Sequence, residues 1–414
     1  MFTLLFVSFL LADVLTGLWL ASRQIRHVQT HRDRVPPEFS DRIGLYSHQR
    51  AADYTMAKMQ FSMVERITEA AVLVGFTLLG GLQFLDHHLG VLFDNEMLRQ
   101  LMLLGAVLAI MGLIGLPFSA WRKFKLEARF GFNRISPRLF IQDNLKTLAL
   151  SLLLGTPLAA GVIWFMGNAG ANWVWWAWGL WVGFNFLILW LFPTVIAPLF
   201  NKFTPLDNPE MAERIQSLAK RCGFSLSGLF VMDGSRRSAH GNAYFTGFGN
   251  ARRIVFFDTL LSRLNVDEVE AVLAHELGHF SHKHIIKRMV VSFAVALVFL
   301  LLLGWLSTQT WFYVGLGVLP QLGRPNDALA LILLFLAVPV FTFWATPLAS
   351  WLSRRDEFQA DRYAAEQCPP ERLVSALVKL YDDNAATLTP DPIHSAYYDS
   401  HPPAVIRIQK LKHG

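Results

Sequence analysis

The sequence predicts a helical membrane protein with about seven transmembrane helices and a small α/β unit beside the membrane. Of its 414 residues, 53% are hydrophobic and 16% are charged, whereas soluble proteins carry about 25% charged residues. Several apolar stretches are long enough to cross a bilayer. One long interval between them, 201–287, is polar and has the patterning of a soluble domain.

A membrane-spanning helix needs about 20 mostly apolar residues, and the sequence offers seven candidates. Pro339 and Pro347 are expected to kink the last of them. The first lacks a basic leader and contains Asp13, so it does not resemble a cleaved signal peptide. The spans are predicted at about 2–21, 69–85, 101–121, 148–166, 173–192, 289–306 and 328–351.

The distribution of charge predicts the orientation of these spans. Basic residues follow the first, third and seventh spans, whereas the second is followed by an acidic turn. By the positive-inside rule, the polar interval 201–287 and the C-terminal part are expected on the cytoplasmic side. The same rule explains the net charge of +6, so no nucleic-acid partner is inferred. Cys222 and Cys368 are expected to be ordinary reduced thiols.

The chain therefore divides into four parts. Residues 1–200 form an N-terminal membrane region with five spans, and 201–287 form the first catalytic part. Residues 288–352 contain the last two spans, and 353–414 form the second catalytic part. The two catalytic parts are expected to fold into one unit, although two spans separate them in sequence.

The first catalytic part has alternating helix and strand patterns. An amphipathic helix is predicted over 207–222 and a strand over 229–233. A hairpin is predicted from strands at 242–248 and 253–258, with Gly249 and Asn250 at its turn. Asn265 or Asp267 is expected to cap the next helix. That helix meets no proline or glycine between Phe280 and Leu303, so it is expected to run straight into the sixth span.

The motif H-E-L-G-H occupies residues 275–279 of this helix. His275 and His279 are four residues apart, so both imidazoles project from one helix face and can reach one metal ion. Glu276 projects beside that ion, where it can take a proton from a water molecule. The same five residues also occur by chance in long helices, so the motif alone leaves both interpretations open.

A second polar cluster follows the seventh span. Glu357 and Asp361 are four residues apart on a predicted helix. Catalytic zinc commonly has three protein ligands, which makes Glu357 the natural third ligand. Asp361 can then orient a ligating histidine. The alternative is a solvated helix start that is ion-paired with Arg354 and Arg355, and the presence of H-E-L-G-H favours the metal site.

With these motifs, the chain resembles a known family, the type I CAAX prenyl proteases, which are integral-membrane zinc endopeptidases. The resemblance covers nearly the whole chain in order. Its matching blocks are GLYSHQRAADYTMAK from Gly44, FGFNRISP from Phe130, APLFNKFTPL ending at Leu206, SAHGNAYFTGF ending at Phe248, RIVFFDTLL from Arg253, VLAHELGHFSHKH, SRRDEFQAD, and SHPPAVIRIQ from Ser400.

The resemblance implies seven spans that enclose a water-filled chamber and a gluzincin-like zinc site that faces its interior. It implies one Zn²⁺ per chain, held by His275, His279 and Glu357, with Glu276 as the catalytic base and acid. It also implies a late histidine and a late arginine near the site, which fall on His401 and Arg407. We expect His401 to donate a hydrogen bond to the developing oxyanion.

For Arg407 and for the Asn-Ala-Tyr segment, the sequence leaves two interpretations open. Arg407 either holds a substrate carboxylate or braces the site through an ion pair. The family's Asn-Ala-Tyr strand falls on Asn242, Ala243 and Tyr244, which either pair with a substrate backbone by strand addition or form a plain hairpin strand. His282 and His284 match no ligand position and are expected to lie on the helix surface at the membrane edge.

The expected substrate is a peptide or the C-terminal tail of a protein, with or without a prenyl group, that reaches the enzyme at the lipid bilayer. The alternative activity is quality control of unprenylated membrane proteins. A non-enzymatic zinc-binding membrane protein is disfavoured because it leaves the open coordination position unexplained. The compact sequence, without a long insert before the zinc helix, favours a bacterial inner membrane over endoplasmic reticulum.

Overall fold

The computed structural model describes residues 1–246 and 253–413. Eighteen α-helices and a four-stranded sheet lie within these ranges. The helices are α1 Phe2–Thr30, α2 Leu45–Phe76, α3 Gly81–Leu92, α4 Glu96–Trp121, α5 Pro137–Leu150, α6 Thr156–Asn168, α7 Trp173–Leu191, α8 Ala197–Phe200, α9 Pro209–Arg221, α10 Asp258–Leu261, α11 Val266–Ser281, α12 His284–Leu306, α13 Thr310–Gly315, α14 Asp327–Thr342, α15 Thr346–Gln367, α16 Pro370–Asp383, α17 Pro392–Tyr398 and α18 Ala404–His413. The strands are β1 Phe203–Pro205, β2 Gly228–Met232, β3 Ala243–Thr246 and β4 Arg253–Phe257.

Within the described ranges, six continuous helical stretches are long and apolar enough to cross a membrane, and a bent helix pair adds a seventh. Several stretches join two helices through short π-helical or 3₁₀ segments. The prediction of about seven spans is therefore confirmed. The six stretches are Phe2–Thr30, Glu96–Glu127, Pro137–Asn168, Gly170–Phe200, His284–Leu306 and Asp327–Gln367.

The second predicted span is broken. It was expected as one helix over about 69–85, but α2 ends at Phe76 and α3 begins at Gly81, with a bend of 48° between them. Gly80 adopts a φ of +80°, which glycine tolerates without steric cost. Hydropathy alone could not locate this bend, because the apolar pattern continues across it.

The four strands form one mixed sheet in the order β1-β2-β4-β3. The central strands β2 and β4 are parallel, and β1 and β3 pair antiparallel on the outside. The strands predicted over 229–233 and 253–258 thus match β2 and β4, and β3 accounts for the described part of 242–248. The predicted turn at Gly249 and Asn250 lies outside the described residues. As an edge strand, β3 has one side free of sheet pairing within the described chain.

The helix with the histidine motif does not run straight into the sixth span, so that prediction was wrong. The first helix, α11, ends at Ser281, and α12 begins at His284. Between them Lys283 adopts a left-handed conformation with a φ of 56°. No proline or glycine lies at this break, so the residue types do not predict it.

Two large hydrophobic cores correspond to the two environments of the chain. One lies among the spans and buries residues of α1, α4, α12 and α14. The other lies in the catalytic unit, where the sheet and helices α9, α11, α16 and α18 pack together. This second core brings 201–287 and 353–414 into one body, although the last two spans separate them in sequence.

An ion pair is buried near the turn between the second and third spans. Arg99 is 1% exposed and donates to Asp86 over 2.6 Å, and Asp86 is fully buried. Arg99 also donates to the backbone oxygen of Pro325 over 2.6 Å and to Glu96 over 2.9 Å. Gln321 donates to the second oxygen of Asp86. These bonds tie α3, α4 and the loop before α14 together.

We predict that Arg99→Met lowers the stability of the detergent-purified protein by about 3 kcal/mol or more, because it leaves the Asp86 carboxylate buried without its cation. Thermal unfolding measures the effect. Arg263→Ala is the control, since Arg263 is 66% exposed in its pair with Asp383 and exposed pairs contribute about 0–1 kcal/mol. Equal shifts in the two variants would contradict a structural role for the buried pair.

Candidate metal centre and active site

The helix that carries the histidine motif, α11, is fixed at its start by reciprocal capping. Asn265 Oδ1 accepts from the Glu268 N–H and Glu268 Oε2 accepts from the Asn265 N–H, each over 2.9 Å. Of the two predicted caps, the structure thus selects Asn265. Glu268 is 3% exposed and also accepts from Lys379 and Ser375 on α16. The start of α11 is therefore bound to the second catalytic part.

Further along α11, Gly278 gives the closest approach to α15. A Cβ atom at this position would lie 2.9 Å from the Ala360 Cα and 3.1 Å from both the Ala360 oxygen and the Tyr363 Cβ. Only glycine leaves room for this contact. Because Gly278 directly precedes His279 and Ala360 lies between Glu357 and Asp361, the contact brings the two predicted clusters face to face.

The three predicted metal ligands converge on one point. His275 Nε2 lies 3.3 Å from His279 Nε2 and 3.4 Å from Glu357 Oε2. His279 Nε2 lies 3.3 Å from Glu357 Oε1. In the described chain these are the only three His, Cys, Asp or Glu side chains whose ligand atoms gather within 4.8 Å of one another.

The donor set fits a zinc ion. Two imidazoles and one carboxylate are the ligands that catalytic zinc takes in many hydrolases. Glu357 is 3% exposed, and its Oε2 atom is buried without a hydrogen-bond partner. An unpaired buried carboxylate oxygen is costly, and a cation bound between the three side chains would remove that cost.

Asp361 lies where it can orient the first histidine. Its Oδ1 accepts from His275 Nδ1 over 2.9 Å, leaving Nε2 to face the metal position. Arg407 is 5% exposed and donates to both oxygens of Asp361, over 2.5 and 2.8 Å. Burial lowers the pKa of His275, but hydrogen bonds to Asp361 and Glu357 outweigh burial and raise it to about 9. This geometry favours the bracing interpretation of Arg407.

Glu276 faces a cavity of about 280 Å³ beside the metal ligands. Burial raises the pKa of its carboxyl above the usual range, which is the direction expected of a group that must accept a proton. In the described chain Glu276 has neither a side-chain hydrogen bond nor an ion pair. It is thus placed to contact a substrate or a water molecule.

His401 lines the same cavity. Its Nε2 lies 3.5 Å from Glu357 Oε1, and Ser400 Oγ lies 2.9 Å from its Nδ1. The side chain is 62% exposed, but the surrounding wall desolvates it and thereby lowers the pKa of His401 below its usual value. A neutral His401 with a hydrogen on Nε2 can donate into the cavity.

The Asn-Ala-Tyr segment is only partly at this cavity. Asn242 and Ala243 line it together with His275 and Glu276. Tyr244 instead lines a separate cavity with Phe203 and Phe230, as expected because successive strand residues face opposite sides of a sheet. The structure thus brings two of these three residues, Asn242 and Ala243, to the wall of the candidate active site.

Sequence reasoning missed His284, which it assigned to the helix surface. The structure buries this residue to 1% exposure and places its Nδ1 3.0 Å from His279 Nδ1. Because the break at Lys283 was not predictable, His284 could not be assigned to this position. Tyr381 of α16 and Asn384, which directly follows that helix, also line the cavity. Neither belongs to a motif that would have identified it.

Seven spans joined to a buried site with two histidines and a glutamate define a multi-span membrane metallopeptidase. Comparison with known families agrees. A family described as CAAX prenyl protease N-terminal, five membrane helices, matches residues 24–202. Peptidase family M48 matches residues 205–414. The chain belongs to peptidase family M48 and is a metallopeptidase of the CAAX prenyl protease 1 type.

Individual relatives are similar over most of their length. CAAX prenyl protease 1 of Saccharomyces cerevisiae is 31% identical over 96% of this chain and 94% of its own. A CAAX prenyl protease 1 homolog of Oryza sativa subsp. japonica is 37% identical over 78% of this chain and 75% of its own. The crystal structure of S. mikatae Ste24p is 30% identical and covers 100% of this chain and 99% of its own, with a TM-score of 0.92. The predicted fold class and family are thereby confirmed.

We predict that Gly278→Ala weakens zinc binding and destabilises the protein by about 1–3 kcal/mol, because the added methyl group must push α11 away from α15. Zinc affinity from chelator competition and thermal unfolding measure the two effects. Gly112→Ala is the matched control, because a Cβ atom there meets nothing within 4 Å. Wild-type zinc affinity in Gly278→Ala would show that the contact does not set the ligand geometry.

Proposed function

We propose that this protein is a zinc-dependent endopeptidase that cleaves near the C-terminus of membrane-associated, prenylated substrates. The observation that carries the proposal is the convergence of His275, His279 and Glu357 beside the free carboxylate of Glu276. We propose one zinc ion per chain, since the described residues contain one such group of ligands. A zinc ion bound there would act as a Lewis acid on water and on the peptide carbonyl.

The side chains of this protein would divide the remaining work. Glu276 takes a proton from the attacking water as the new bond to the carbonyl carbon forms. His401 donates a hydrogen bond to the carbonyl oxygen as negative charge develops there. Glu276 then gives its proton to the leaving amine as the C–N bond breaks. Asp361, itself braced by Arg407, keeps His275 in the tautomer that leaves Nε2 free.

The substrate backbone would be held by strand addition. The edge strand β3 begins beside the cavity, and Asn242 and Ala243 line its wall. An extended peptide paired with this edge would pass Glu276 and His401. Tyr244 would contribute through its backbone, because its side chain lies in another cavity.

The substrate class rests on two observations. The relatives named above are CAAX prenyl proteases, and the site lies beside the last two spans, where α15 carries Glu357 out of the seventh span. A lipid-modified C-terminal tail would reach it from the bilayer. We further propose that the catalytic unit faces the cytoplasm, because basic residues flank the spans on that side. The location in a bacterial inner membrane remains a prediction from the sequence.

We predict that Glu276→Gln lowers peptide hydrolysis by about 10³-fold, because the amide cannot accept the proton of the attacking water. The zinc content should stay at one ion per chain, measured on the same preparation by elemental analysis. Glu366→Gln on the exposed side of α15 serves as the control and should retain activity. Hydrolysis by Glu276→Gln at the wild-type rate would refute the assigned role.

We predict that the detergent-purified wild type cleaves a farnesylated CAAX peptide faster than the same peptide without the farnesyl group. Product masses identify the cleaved bond, and the expected product lacks the last three residues. Treatment with a zinc chelator should abolish cleavage and added zinc should restore it. Faster cleavage of unprenylated membrane-protein peptides would favour the quality-control alternative and overturn the proposed substrate class.

A further inference from the structure

The geometry points to a second positioning device at the metal centre: we propose that His284 and Gln359 fix the tautomer of the metal ligand His279. The inference rests on the proposed metal site and extends it by two residues. His284 acts through His279 and Gln359 acts through His284, so both are positioning residues. Neither is expected to contact substrate.

Both ring nitrogens of His284 have partners. His284 Nδ1 lies 3.0 Å from His279 Nδ1, and His284 Nε2 lies 2.9 Å from Gln359 Oε1. The ring is 1% exposed, so water cannot substitute for either partner. A buried imidazole with two short contacts is held in one orientation, and the location of its hydrogen then decides what it offers to His279.

The partners of His284 Nε2 decide where that hydrogen lies. Asp356 Oδ1 is 3.5 Å from His284 Nε2, and an ionised carboxylate only accepts hydrogen bonds. Arg288 donates to the other oxygen of Asp356 over 3.0 Å, so Oδ1 is the oxygen that faces His284. With two oxygens facing it, His284 Nε2 carries the hydrogen, and His284 Nδ1 is left with a lone pair.

The lone pair on His284 Nδ1 determines which ring nitrogen of His279 carries its hydrogen. Because His284 Nδ1 accepts, His279 Nδ1 must donate, and His279 Nε2 is left free to bind a cation. The opposite arrangement would place a hydrogen on His279 Nε2, which faces the Nε2 of His275 at 3.3 Å and would block the metal position. Buried partners of ligating histidines commonly act in this way.

The backbone is bent to bring His284 into this position. In a continuous helix, a residue five positions after His279 would point about 140° away from it. The left-handed Lys283, with its φ of 56°, ends α11 and lets α12 start in a new direction. Non-glycine residues adopt this conformation only at a steric cost, because the Cβ atom approaches the following carbonyl oxygen. The break thus stores strain at the place where His284 turns back towards the ligand.

The test is the zinc dissociation constant, measured by competition with a chromophoric chelator on the full-length protein in detergent. We expect His284→Leu to weaken zinc binding by about 10- to 100-fold. The control is His282→Leu, because His282 Nδ1 bonds to the backbone oxygen of Gly278 and its ring packs beside His284 without a hydrogen bond to it in the described chain. Its zinc affinity should equal that of the wild type. Unfolding of the metal-free forms separates lost affinity from lost folding.

A second pair of variants leaves the buried ring in place. Gln359→Glu can only accept from His284 Nε2, so it should keep or strengthen zinc binding, whereas Gln359→Leu should weaken it. Wild-type affinity in His284→Leu, or equal losses in Gln359→Glu and Gln359→Leu, would overturn the proposal. If His279→Leu bound zinc as tightly as the wild type, the metal site itself would be refuted, and this inference with it.

Discussion

The contact between Gly278 and Ala360 is the constraint on which the catalytic centre depends. Two ligands lie on α11 and the third on α15, and two membrane spans separate these helices in sequence. The contact at Gly278 leaves no room for even a methyl group, and it lies within one helical turn of His279 and Glu357. Close backbone packing, rather than any bond between ligand side chains, therefore sets the size of the metal position.

Around that position, the carboxylates that support the ligands have cationic partners, whereas one oxygen of the ligand Glu357 lacks a hydrogen-bond partner. Asp361 is compensated by Arg407, and Asp356 by Arg288. Glu357 Oε2, in contrast, has no hydrogen bond. Each ligating histidine also has its own partner at Nδ1: a carboxylate for His275 and an imidazole for His279. The two ligands therefore occupy electrostatically different surroundings, although the sequence motif presents them as equivalent.

The sequence allowed much of this site to be predicted, because the decisive signals are local or belong to whole motifs. The spacing of H-E-x-x-H places two histidines on one helix face, and Glu357 and Asp361 follow the same four-residue logic. The number of spans follows from hydropathy. The resemblance to a known family then indicated that these separate segments form one site.

The features that could not be predicted from the sequence depend on backbone conformations that the residue types do not indicate. Lys283 takes a left-handed conformation for which glycine is the usual choice, so the helix break and the position of His284 were hidden. The bend between α2 and α3 lies within a continuous apolar pattern. The side-chain orientation of Tyr244 depends on strand register, which the sequence around the hairpin left open.

The path of α15 has a mechanical consequence. This helix begins among the apolar residues of the seventh span and continues without a break to Gln367, so one rigid rod carries both lipid-facing residues and Glu357. Tilting is one way in which helices adapt to bilayers of different thickness. Because Ala360 on this rod packs directly against Gly278 of α11, a tilt of the rod would carry the two imidazoles along with the carboxylate. The last span and the metal centre are thereby coupled mechanically.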